Sequence, residues 1–124
     1  MPYIKEAALH FILEASKNFY PREFSGLLRG DRKKELIEEV LVLPATIYGE
    51  GFASIHLSSV PIDSTIVGSV HSHPSPSNHP SLQDSIYFRK TGNIHLIAKP
   101  PYQSLLDVAC YDRESERLDL WMVD

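Results

Sequence analysis

The chain is 124 residues long, 43% apolar and 23% charged, which suits one ordinary globular domain expected to span 1–124. A net charge of −4 argues against a nucleic-acid partner, and no apolar run approaches the ~20 residues of a membrane span. The start carries no signal-peptide pattern and the single cysteine, Cys110, leaves no internal disulfide, so a cytoplasmic protein is expected.

Taken in chain order, residues 3–19 read as an amphipathic helix, with Ile4, Ala8, Phe11, Ile12, Ala15 and Phe19 recurring at helical spacing. Asn18 and Pro21 help to end it. A strand is expected at about 23–29, closed by Gly30-Asp31-Arg32, and a second from Leu36 to Leu43. Gly49-Glu50-Gly51 turns the chain into a third at about 52–57. Thr65 to Val70 is β-branched and apolar, as a buried strand would be. The proline-rich stretch 74–80 reads as a loop, and Ser81 to Lys90 as a second helix with Gly92 just past its end. Strand-like runs follow at about 94–99, 105–111 and 117–123. This order predicts a mixed α/β (α+β) sandwich, with two or three helices flanking a largely antiparallel sheet.

The stretch that carries chemistry is His71-Ser72-His73-Pro74, then Ser81-Leu82-Gln83-Asp84. Side chains two apart on an extended chain share a face, so both imidazoles aim at one point where the buried strand ends. Asp84 sits in the first turn of the next helix, and the intervening loop is long enough to bring that turn back over the strand end. Two imidazoles and a carboxylate suit Zn²⁺, one ion per chain, with a fourth position open to water. Ser81-x-x-Asp84 also reads as a plain helix cap, a role compatible with metal binding. His79 competes with Asp84 as third ligand but reads as a rim residue. His10, His56 and His95 have no partners at ligand spacing. A zinc hydrolase also needs a proton shuttle; of sixteen acidic residues, Glu23 stands out mildly because it precedes the apolar strand Phe24 to Leu28. Cys110, among Val108, Ala109 and Tyr111, reads as a buried structural thiol.

The pattern His-Ser-His-Pro, six residues, Ser-x-x-Asp, with an upstream glutamate in Pro21-Arg22-Glu23-Phe24, resembles the signature of the JAMM (MPN+) metalloprotease family over nearly the whole chain. The resemblance implies a cytidine-deaminase-like MPN domain, minimal in size and of an archaeal or bacterial type. It implies that His71, His73 and Asp84 bind zinc. It further implies that Glu23 takes a proton from the attacking water and returns it to the leaving amine, and that Ser81 donates a hydrogen bond to the oxyanion. Ser72 would mostly set the backbone.

The family hydrolyses isopeptide bonds after the Gly-Gly tail of ubiquitin or ubiquitin-like modifiers. The expected partner is therefore a small modifier protein or its conjugates, as for a desampylase. Phe52, Ser54 and His56 form a candidate edge strand for binding such a tail. Trimming the C-terminus of a sulfur-carrier protein is the alternative reaction, and a metal-free binding scaffold is the non-enzymatic reading. A homodimer remains open.

Overall fold

The computed structural model describes residues 1–43 and 63–124, so the candidate edge Phe52, Ser54 and His56 lies outside the described residues. Two α-helices and eight strands are present among the described residues. The strands are β1 (Tyr3–Lys5), β2 (Ser25–Asp31), β3 (Leu36–Val42), β4 (Ile66–Ser72), β5 (Ile94–Ala98), β6 (Val108–Tyr111), β7 (Arg117–Leu118) and β8 (Trp121–Val123). The helices are α1 (Glu6–Phe19) and α2 (Leu82–Phe88), and neither is long and apolar enough to cross a membrane.

The strands form one mixed sheet in the order β7-β6-β5-β4-β2-β3-β1-β8. Four of its seven pairings are antiparallel; β1–β3, β1–β8 and β4–β5 are parallel. Although β7 ends at Leu118 and β8 starts at Trp121, they occupy opposite edges. Three Cα steps span at most about 11 Å, so the sheet curls until its edges nearly meet.

Helices cover both faces. Ala8, Leu9, Ile12 and Leu13 of α1 pack with Leu28, Ile37, Val70, Leu96 and Cys110. Tyr87 and Phe88 of α2 pack with Leu27, Ile66, Ile97, Ala109 and Tyr111 on the other side. Each fully buried Leu or Ile contributes about 1.5–3 kcal/mol. Between Leu28 and Arg29 the β2–β4 register slips, leaving Val67 as the extra residue of a bulge. Val67 and Val70 therefore both join the α1 core.

Three sequence expectations change. The first helix starts at Glu6, because Tyr3–Lys5 pairs with β3 and β8; sheet pairing overrides the helical periodicity there. Residues 105–111 open with a 3₁₀ turn, Leu105–Asp107, capped by Ser104. The expected strand at 117–123 is two strands, broken at Asp119-Leu120 where the chain passes from one sheet edge to the other.

Candidate metal centre

The site forms where β4 ends and α2 begins. His71 is the penultimate residue of β4 and is fully buried, and His73 follows the strand by one residue. Ser72 lies between them, so both imidazoles project to the same side. The His73 main chain is fastened twice: its N–H donates to Ala98 O at 2.8 Å, and its carbonyl accepts from the Tyr102 hydroxyl at 2.5 Å. Loop 74–80 is held down by the Tyr111 hydroxyl, which donates to Asn78 O at 2.9 Å. This returns the start of α2 to the strand end.

There Ser81 is the N-cap, accepting from Asp84 N–H at 3.1 Å, while the Asp84 carboxylate accepts from Ser81 N–H at 2.9 Å. This reciprocal capping box points the carboxylate at the histidines. His71 Nε2 and His73 Nε2 are 3.1 Å apart, and they lie 3.2 Å from Asp84 Oδ1 and Oδ2 respectively. Four ligands around zinc at ~2.0–2.1 Å stand about 3.3–3.4 Å from one another; the Nε2–Nε2 distance and the contact of each imidazole with its own carboxylate oxygen are close to that spacing, so the three side chains form a triangle of a size that suits one ion. His73 Nδ1 donates to Ser77 O at 2.8 Å, so the neutral ring carries its lone pair on Nε2, toward Asp84 and His71, whereas the protonated ring donates Nε2–H to Asp84. The donor set fits a zinc ion and leaves a fourth position. His71, His73 and Asp84 are the one group of metal-ligating side chains that converges in this way among the described residues.

The electrostatics favour a carboxylate. Burial alone would push the Asp84 carboxyl up, but the hydrogen bonds from His71 and His73, the attraction of His71 and the Ser81 N–H hold it well below the usual range. Burial works against a charged His73; hydrogen bonds to Asp84 and Ser77 O, and the fields of Asp84 and Glu23, raise it nonetheless. Glu23, half-buried, thus stands close enough to act electrostatically on His73 and also on Tyr102.

His79 is exposed on the loop and outside the triangle, and His10 lies exposed on α1 beside Glu6. His95 is a packed core residue, stacked on Phe88 with centroids 4.3 Å apart. Its Nε2–H donates to Gly92 O at 2.9 Å and its Nδ1 accepts from the Ser69 hydroxyl at 2.7 Å. Gly92 has φ +115°, and a Cβ there would approach Val67 O to 2.6 Å, so the turn that offers this carbonyl requires glycine. Cys110 is buried, and burial pushes its thiol up to about 12, the opposite of an activated nucleophile. A cavity of about 340 Å³ lined by Met1, Arg32, Glu35, Val67 and Ile94 lies toward the other end of β4 and, among the described residues, contains no cluster of metal-ligating side chains.

Sequence reasoning missed Tyr102 and the Ser77 carbonyl. The signal for the first was an aromatic directly after Pro100-Pro101 at a strand exit; a main-chain carbonyl leaves no sequence signal at all.

Comparison with known proteins agrees with this geometry. Residues 5–107 match the family described as prokaryotic homologues of the JAB domain. A probable metalloprotease of Haloferax volcanii is 37% identical over 94% of this chain and 76% of its own length. A solved structure described as JAMM, a metalloprotease-like zinc site in the proteasome and signalosome, is 33% identical with a TM-score of 0.77, covering 100% of this chain and 99% of the other. A JAB1/MPN-domain protein from Archaeoglobus fulgidus is 35% identical with a TM-score of 0.78 over the full length of both chains.

Proposed function

The chain belongs to the family of prokaryotic JAB-domain homologues and is a zinc metalloprotease, and from that premise we propose that it is an isopeptidase cutting after the C-terminal Gly-Gly of a small ubiquitin-like modifier. In this reading residues 1–124 form a single catalytic domain, with His71, His73 and Asp84 as the zinc ligands. The observation that carries it is the convergence of His71, His73 and Asp84, with contacts of 3.1–3.2 Å, within electrostatic reach of Glu23.

Bound there, zinc would polarise a carbonyl and lower the pKa of water from ~15.7 toward ~7. The chain's own residues do the rest. Glu23 accepts a proton from the attacking water at its carboxylate and delivers it to the departing amine. Ser81 uses one oxygen lone pair to cap α2, which leaves its O–H free to donate to the oxyanion. Tyr102 and Ser77 hold His73 in register from its carbonyl and its Nδ1. Asp84, anchored by Ser81 N–H, stays ionised between the imidazoles.

The resemblance to the JAMM signature supports a modifier tail as substrate, since a Gly-Gly tail is slim enough to enter as an extended strand. The test is incubation of the protein with lysine-linked modifier conjugates and linear modifier fusions, with and without a chelator. Release of free modifier from the lysine-linked conjugates, blocked by chelator and restored by zinc, is the expected result. Cleavage of linear fusions alone would assign C-terminal trimming, and no cleavage of either by the zinc-loaded protein would overturn the modifier reading.

A further inference from the structure

We propose that Ser72, the residue between the two histidines, is a positioning residue for Glu23: it clamps the main chain at Phe24 to the end of β4 and so fixes the direction in which Glu23 leaves the sheet. The inference rests on the reading of Glu23 as the proton acceptor. β2 and β4 run antiparallel with Ser25 opposite His71, which places Phe24 opposite Ser72 one step beyond the start of β2. An ordinary antiparallel pair at this position would exchange two main-chain hydrogen bonds. Here only one is main-chain to main-chain, Ser72 N–H to Phe24 O at 2.9 Å. The other runs from Phe24 N–H to the Ser72 hydroxyl at 2.8 Å, across 48 residues of sequence.

The hydroxyl thus replaces a main-chain acceptor. It lets the chain part from the sheet at Phe24 with both of that residue's main-chain groups still satisfied. Ser72 and Phe24 are both fully buried, so deleting the hydroxyl takes the acceptor from a Phe24 N–H that lies away from bulk water. The Phe24 ring, also fully buried, packs edge-on against Phe11 and Phe19 at 6.4 and 5.6 Å. Those rings hold the side chain, and the Ser72 clamp orients the peptide between Glu23 and Phe24. Misplacing a catalytic group by about 1 Å costs on the order of 10²-fold in rate.

Threonine at this position keeps the hydroxyl, whereas valine has threonine's shape without it. The experiment compares zinc-loaded wild type, Ser72→Thr and Ser72→Val, each with Glu23 and with Glu23→Gln. It measures kcat, KM, zinc per chain and hydrogen exchange of the Phe24 amide. Ser72→Thr should keep kcat near the wild-type value. Ser72→Val should retain zinc and KM, speed Phe24 exchange and lower kcat about 10²-fold. In the Glu23→Gln background the same change should add no further loss, because the group it positions is already gone. Equal kcat for the Thr and Val variants would overturn the proposal. So would an equal fractional loss in the Glu23→Gln background, or zinc loss in step with activity. If Ser72→Val does not fold, Ser72→Ala takes its place, and failure of both assigns Ser72 to stability alone. A fully active Glu23→Gln would remove the underlying reading of Glu23, a result separate from any comparison among the Ser72 variants.

Discussion

Ser81 and Asp84 cap the same helix end reciprocally, with the Asp84 carboxylate accepting from Ser81 N–H at 2.9 Å and the Ser81 oxygen accepting from Asp84 N–H at 3.1 Å. The carboxylate that faces the histidines is therefore positioned by the helix start. The two duties of Ser81 separate by substitution. Ser81→Ala loses both cap and hydroxyl and should cost about 0.5–2 kcal/mol of stability in urea unfolding. Ser81→Gly keeps the cap to within a few tenths of a kcal/mol yet has no hydroxyl. Both should lose about 10²–10³-fold in kcat if the O–H serves the oxyanion. Unchanged kcat in Ser81→Gly would leave Ser81 as a cap only.

Metal content and turnover should separate in the same way. The wild-type chain should carry close to one zinc, and His73→Ala should lose it along with activity, because the donor triangle is reduced to two members. Glu23→Gln lies outside the triangle and should keep zinc while kcat falls about 10²–10⁴-fold. Elemental analysis beside a cleavage assay reads both, and a His73→Ala protein with full zinc and activity would refute the ligand set.

Tyr102 gives a less obvious prediction. Its hydroxyl donates to the His73 carbonyl at 2.5 Å, and its ring meets Tyr20 edge-on at 6.3 Å. Tyr102→Phe keeps the ring packing and deletes only the hydrogen bond. Loss of an outer-shell partner typically lowers metal affinity about 10–100-fold, and chelator competition would measure it. Wild-type affinity would show that Ala98 and Ser77 suffice to hold His73.

Which parts of this molecule were legible in advance follows from how local their causes are. The His71/His73 alternation and the Ser81-x-x-Asp84 cap are each fixed within a few residues, so spacing alone revealed them. The choice of Asp84 over His79, and of Glu23 among sixteen acids, came from resemblance to a known pattern rather than from physics. Tyr3–Lys5 misled because its apolar periodicity continues that of α1, while its partners are thirty or more residues away in β3 and β8. The split at Asp119-Leu120 was equally hidden, since only closure of the sheet puts Leu118 and Trp121 on different edges. The Ser72–Phe24 clamp spans 48 residues and has no local signature beyond a serine.

His95 provides a pH test away from the metal. Burial drives its pKa down to about 4, against the upward pull of the Gly92 and Phe88 carbonyls, so the folded imidazole is neutral. In the unfolded chain it titrates near 6.5. Between those values the unfolded state binds one more proton than the folded state, so stability should fall as pH drops from about 6.5 to about 4 and level off below. One proton corresponds to about 1.4 kcal/mol per pH unit. Metal ligands and other carboxylates add their own acid sensitivity, so the informative quantity is the difference from His95→Gln. Glutamine can accept from Ser69 and donate to Gly92 O but does not titrate. Denaturant unfolding of the two proteins across pH 4–7 should show the wild type losing stability more steeply on acidification, by about 1.4 kcal/mol per unit. Parallel curves would mean that His95 takes up its proton equally in both states, and that Phe88 and Ser69 do not hold it neutral.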